Sequence, residues 1–243
     1  MTGLSGYLPG SLKVPDMPKV LLKNCHSLQK LAVEHLILDC EDIEHICQNG
    51  QTLKVLNLSG AQFWTDYPTL ELFKKCVELT ELNISRWYDF VDVNAILSNL
   101  TSKILKLDLS CNRNLEDHHL KTLVERCNKI TELDLGSTSI TKDSLCSIVT
   151  HLKSLEKLDV SYTKIDSTAL LQLGSVETLM FLRCQNIEVD KNIDQIRNLR
   201  KKLPQLSINT NYLSNIATST SNTVQYEDGF WEIKARSQEL FLK

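Results

Sequence analysis

The 243-residue sequence has no uninterrupted apolar run of the roughly 20 residues that a membrane-spanning helix needs, which argues against such a helix. Its opening, MTGLSGYLPGSLKV, lacks a basic stretch followed by an apolar one, so no secretory signal is expected. Neither sign of charge dominates: charged residues make up 23% and the formal net charge is −3. That balance argues against a nucleic-acid partner and against docking on an anionic membrane, both of which call for a basic face. Eight cysteines are present without a CxxC pair or a compact framework. With no secretory signal, they read as reduced thiols in the cytoplasm or nucleus. The patterns GxGxxG, GxxxxGK[ST], GxSxG and HExxH are all missing, and no cysteine stands with His and Asp in a known nucleophilic setting. Cys40 and Cys47 beside His45 are the nearest thing to one, and they are not read as catalytic. No catalytic residue, cofactor or metal is expected, and the chain reads as a binding protein, not an enzyme.

What is present is a period. The pattern apolar-x-x-apolar-x-apolar starts at Leu28, Leu53, Leu79, Ile104, Ile130, Leu155, Val176 and Leu203, in steps of 25, 26, 25, 26, 25, 21 and 27 residues. In KLDLS, alternation sends Leu107 and Leu109 to one side of a strand and Lys106, Asp108 and Ser110 to the other. Between strands, apolar residues at helical spacing recur, as in Leu120, Leu123 and Val124, or Leu70 and Phe73. One such unit cannot bury both its apolar faces, whereas a stack of them can. The expected fold is therefore α/β: a right-handed leucine-rich-repeat solenoid, a horseshoe with a concave parallel sheet and helices on its convex side.

Cysteines punctuate the repeat. Cys25, Cys76 and Cys127 each stand three residues before the first apolar position of a strand, at the end of a helix. Cys184 is placed just after a strand, in the slot of Asn112, Thr138 and Thr163, where a side chain can bond the neighbouring turn's backbone. A metal at Asp117, His118 and His119 beside Cys111 fits no usual zinc spacing, and adjacent helical histidines should point apart. Asp39, Glu41, Asp42 and Glu44 read as a solvated loop and helix start.

The concave face follows from the alternation. Its central row is expected to be Ala32, Asn57, Asn83, Asp108, Asp134, Asp159 and Met180. Beside it should run Lys30, Val55, Glu81, Lys106, Glu132, Lys157 and Thr178. Aspartates on adjacent strands would lie about 5 Å apart, so the row favours a partner bearing Lys or Arg. Just beyond the strands come Gly60, Arg86, Trp87, Arg113, Ser137, Tyr162 and Arg183. Arg, Trp and Tyr dominate protein interfaces, and Arg86, Arg113 and Arg183 suit bidentate phosphate recognition. The candidate partner-binding set is Asn57, Asn83, Arg86, Trp87, Asp108, Arg113, Asp134, Asp159, Tyr162, Arg183 and Trp231. Three segments are expected: 1–14 as an extension or partial cap, 15–213 as the solenoid, and 214–243 as a tail. In the tail, ATSTSNTVQYEDG (217–229) reads as a flexible linker, and Phe230, Trp231 and Ile233 are apolar enough to dock back on the concave face.

The unit LDLSCNRNLEDHHLKTLVERCNKITELDL (107–135) resembles the cysteine-containing repeat of F-box proteins. LNLSGAQF (56–63), ELNISRWYDF (81–90), ALLQLGSVETL (169–179), LPQLSINTNYLSNIA (203–217) and FWEIKARSQ (230–238) extend the likeness outside the periodic positions. Over roughly residues 10–243 the chain is similar to the S-phase kinase-associated type of F-box/leucine-rich-repeat receptor, which serves SCF ubiquitin ligases. The resemblance implies a tail that crosses the concave sheet. It implies a phosphorylated protein substrate, a cyclin-kinase-subunit accessory protein, and a role in ubiquitin-dependent degradation during the cell cycle. It implies the cullin adaptor as a partner only if an F-box is supplied upstream. Ahead of Leu28 too few residues remain for that helical module, and Pro15–Cys25 reads as the helix of an incomplete unit. The chain therefore reads as a shortened form of an F-box protein. Arg86 and Ser137 depart in type from the family's contacts.

Overall fold

The computed structural model describes residues 24–63, 67–87, 93–187 and 193–209. Each strand is three residues long, because only the central leucine of the repeat must point inward while its two neighbours face out. These strands are β1 (Lys30–Ala32), β3 (Val55–Asn57), β5 (Glu81–Asn83), β6 (Lys106–Asp108), β7 (Glu132–Asp134), β8 (Lys157–Asp159), β9 (Phe181–Arg183) and β10 (Ser207–Asn209). They form one parallel sheet in chain order. Two shorter strands, β2 (Ile37–Leu38) and β4 (Gln62–Phe63), pair beside it. Helices α1 (Cys40–Gln48), α2 (Tyr67–Lys75), α3 (Val93–Asn99), α4 (Asp117–Arg126), α5 (Lys142–His151) and α6 (Ile193–Lys202), with a 3-10 helix at Ala169–Ser175, return the chain from one strand to the next. Among the described residues no helix is long and apolar enough to cross a membrane.

The sheet's register corrects the sequence reading at its C-terminal end. Leu31, Leu56, Leu82, Leu107, Leu133, Leu158, Leu182 and Ile208 are successive Cα partners, so the true steps are 25, 26, 25, 26, 25, 24 and 26 residues. The seventh unit is thus Leu179, Leu182 and Cys184, not Val176, Leu179 and Phe181. Leu182 is 1% exposed and Phe181 46%. Two rows shift with it: Arg183, not Met180, follows Asp159 in the central row, and Phe181, not Thr178, follows Lys157 beside it. The eighth unit is centred on Ile208 instead of Leu206.

Each unit's helix contributes apolar side chains to the same core: Ile43 and Ile46, Leu72 and Phe73, Leu120 and Leu123, Leu145 and Ile148 are all buried. Cys76, Cys127 and Cys184 are buried with them. Desolvation pushes their thiols up to about 12, about 11 and about 12 respectively, and no disulfide forms among the eight cysteines. Cys184 aligns with Leu109, inside the core, and does not occupy the Asn112 slot. Asn112 itself ties two units together. Its amide nitrogen donates to the Ile84 carbonyl in the previous unit and to the Leu109 carbonyl, each at 2.9 Å, and its oxygen accepts from Trp87 N at 2.8 Å. Thr138 and Thr163 reach only their own turns, at Leu135 O and Val160 O.

The acidic run before α1 is partly structural. Asp39 and Asp42 accept from each other's backbone N–H at 3.0 Å, closing a capping box, and Asp42 is buried. A second brace joins α4 to α5. Asp117 accepts from Thr141 N and Oγ1 at 2.8 and 2.7 Å and from Ser144 Oγ. Burial opposes its charge, but these donors win and hold its pKa below the usual carboxylate value. The histidines that follow do not point apart: their rings lie 3.7 Å from centroid to centroid, and His119 Nδ1 accepts from Glu116 N at 3.1 Å. Among the described residues no three potential ligands gather around a metal position. The expected segments 1–14 and 214–243 lie outside the described residues, as does any cover over β1. Leu31 is only half-buried there, as a first strand would be.

Candidate functional site

The central row of the concave sheet ends the five strands from β3 to β8 in the same way. Asn57, Asn83, Asp108 and Asp134 each accept at Oδ1 from the backbone N–H two residues on, at 2.9 Å, and Asp159 does so at 2.8 Å. This Asx turn explains why the short polar residue recurs at that position. It also adds a local role to residues expected to serve a partner. Three positions after the central-row residue, the backbone turns left-handed. His35, Gly60, Arg86, Cys111, Ser137, Tyr162 and Asn186 have φ of 55, 63, 60, 61, 59, 58 and 50°. Six of these are non-glycine residues, a conformation few of them adopt. Amide bonds to the next unit hold it, as from Arg86 N to Ser110 O at 2.9 Å and from Tyr162 N to Gln185 O at 2.8 Å.

These corners set out the candidate residues along one edge. Arg86 is exposed and Tyr162 is 51% exposed, both on left-handed corners. Arg113 is exposed two residues beyond a corner, and its carbonyl accepts from Ser139 Oγ at 2.7 Å. Arg183 is not beyond its strand but within the central row, with Nη1 3.4 Å from Asp159 Oδ2. Trp87 is corrected too. It is 6% exposed, its indole N–H donates to Leu58 O at 2.8 Å, and its ring meets Phe63 edge-on at 4.8 Å. A side chain so engaged is core, and among the described residues Arg86 presents that corner. Trp231 lies outside the described residues.

Asp108, Asp134 and Asp159 are successive Cα partners and only 5, 7 and 5% exposed. Burial raises the pKa of all three. Asp134, between two carboxylates, is pushed well above the usual range by burial and then by Asp108 and Asp159. The folded row thus binds protons more tightly than the unfolded chain. Its contribution to stability is complete below the unfolded carboxylate pKa and is lost as pH rises through the folded value. Asp134→Asn keeps the turn, since Asn57 and Asn83 make the same bond, and removes two like-charge neighbours. It should raise stability by about 0.5–2 kcal/mol at about pH 8 and flatten the loss with rising pH, as read by urea unfolding across that range.

The row beside it, expected from sequence as Glu81, Lys106, Glu132 and Lys157, is an ion ladder. Lys106 Nζ lies 3.9 Å from Glu81 and 3.3 Å from Glu132, and Lys157 Nζ lies 3.4 Å from Glu132. Its next member, Phe181, was missed because the seventh unit was read three residues too early. Holding the step near 25 residues would have found it.

The sheet, its register and its rim frame the comparisons with known proteins. The chain is similar in fold to two internalins of Listeria monocytogenes. For inlF the TM-score is 0.54 at 18% identity, over 79% of this chain and 66% of that one. For inlC2 it is 0.53 at 18% identity, over 75% and 80%. Among curated proteins it is 27% identical over 158 residues to the F-box/LRR-repeat protein 4 of Bos taurus, covering 57% of this chain and 25% of that protein. It is 25% identical over 181 residues to the BTB/POZ domain-containing protein FBL11 of Arabidopsis thaliana, covering 65% and 18%. The chain thus spans a quarter or less of these two relatives. The family described as SKP2 LRR domain matches residues 10–238, nearly the whole sequence, and the chain belongs to that family.

Proposed function

We propose that the chain is the target-recognition module of an SCF-type ubiquitin ligase, selecting proteins for degradation without catalysing a reaction itself. The observation that carries this reading is the unbroken register of the concave sheet, which sets Arg86 and Tyr162 out on fixed corners, and Arg113 two residues beyond one, above a row of carboxylates. Exposed Tyr on a fixed backbone makes contact at low conformational cost, and guanidinium groups suit a phosphorylated target. Membership of the SKP2 LRR domain family and similarity to an F-box/LRR-repeat protein support the setting. In this reading residues 214–243 close over the concave face through Phe230, Trp231 and Ile233, a cyclin-kinase-subunit protein is an accessory, and the cullin adaptor joins through an F-box supplied upstream. The place of action is the nucleus or cytoplasm.

Affinity purification from cells tests it. The full chain should retain a phosphoprotein, and Arg86→Ala with Arg113→Ala should weaken that retention by at least about tenfold without lowering the melting temperature. Retention unchanged by the double substitution, and by phosphatase, would sink the reading. Capture of the same target by the F-box-bearing protein without the adaptor would identify a scaffold or decoy instead.

A further inference from the structure

The concave face is not uniformly open. Its central carboxylates are nearly buried, whereas Met180 and Phe181, at the start of β9, are 42 and 46% exposed. Phe181 continues the row of the ion ladder, where Lys106 has two glutamate neighbours and Glu132 has two lysines. Lys157 closes the ladder. It has Glu132 at 3.4 Å on one side, and on the other the Phe181 ring with its centroid 5.9 Å away. The alternation of sign calls for an acid at that place, and an apolar surface stands there instead.

Resting on the reading of the concave sheet as a recognition surface, we infer that the start of β9 docks a partner segment in which an apolar side chain adjoins a carboxylate. The apolar side chain covers Phe181 and Met180. The carboxylate completes the ladder at Lys157 and displaces the weak contact with the ring. Sequestered from water by the side chain beside it, that ion pair gains strength over an exposed one.

The full chain is panned against a displayed library of random ten-residue peptides, and the enriched peptides are titrated against four variants, Phe181→Ala, Lys157→Gln, Arg86→Ala and Arg113→Ala. The expected peptides carry Asp or Glu next to a large apolar residue. They should lose about tenfold or more in affinity on Phe181→Ala and on Lys157→Gln, and little on Arg113→Ala. Both substitutions are at partly exposed positions, and unchanged melting curves show that the fold survives. Peptides lacking an acid, or peptides indifferent to Phe181 and Lys157 but dependent on Arg86 or Arg113, overturn this inference and leave the recognition reading standing. Peptides indifferent to every sheet and rim substitution overturn both. Enrichment that arises only once residues 210–243 are removed shows the chain's own tail as the occupant, and overturns the inference as well.

Discussion

Leu182→Ala should lower the unfolding free energy by about 2–5 kcal/mol, while its neighbour Phe181→Ala should change it by less than about 0.5 kcal/mol. The two residues differ by one position in a strand and therefore by a whole face of the sheet. Leu182 is 1% exposed and pairs in register with Leu158 and Ile208, so truncation opens a cavity between two units. Phe181 stands outside, and its loss removes little beyond a distant contact with Lys157. Urea unfolding followed by circular dichroism separates the two outcomes. Equal losses, or the larger loss at Phe181, would restore the shorter seventh step expected from sequence.

Asn112→Ala should cost about 2–4 kcal/mol, more than most polar truncations, because one small side chain satisfies three backbone groups. The carbonyls of Ile84 and Leu109 and the N–H of Trp87 would all be left inside the protein without it. Asn112→Asp is the sharper variant: it keeps the shape and the bond to Trp87 N but turns two donors into acceptors facing carbonyls. It should be at least as damaging as alanine. Asn49 does the same work nearer the N-terminus, accepting from Leu28 N at 3.0 Å and donating to Cys25 O at 2.8 Å, and predicts the same response. If the aspartate variant melted like the native chain, the bracing role of Asn112 would be lost.

The solenoid was legible because its cause is local and repeated. A leucine every 25 or so residues, with alternation on either side, specifies an inward face whatever the partner strand does. The reading failed where two overlapping patterns competed: Val176, Leu179 and Phe181 satisfy the template as well as Leu179, Leu182 and Cys184 do. Packing settles the choice, because the former would bury Phe181 and turn Leu182 to water. The site was legible as rows but not in depth. Sequence places Trp87 beside Arg86 beyond a strand, yet only the fold brings Phe63 and the Leu58 carbonyl to it. Nor does sequence distinguish a carboxylate that waits for a partner from one that first closes a turn. Asp117 shows the same limit, since its donors Thr141 and Ser144 stand 24 and 27 residues away and meet it only when neighbouring helices pack.

Among the described residues the left-handed corners are occupied by histidine, glycine, arginine, cysteine, serine, tyrosine and asparagine. From His35 to Tyr162 the main chain at each is fastened by its own amide to the following coil, so the bend there is held by backbone. Evolution can therefore change the chemistry at most of these stations without disturbing the others, Gly60 excepted, where a Cβ would meet the His35 ring. The margin of the horseshoe works as a keyboard of fixed spacing, on which specificity for a new target can be written one key at a time.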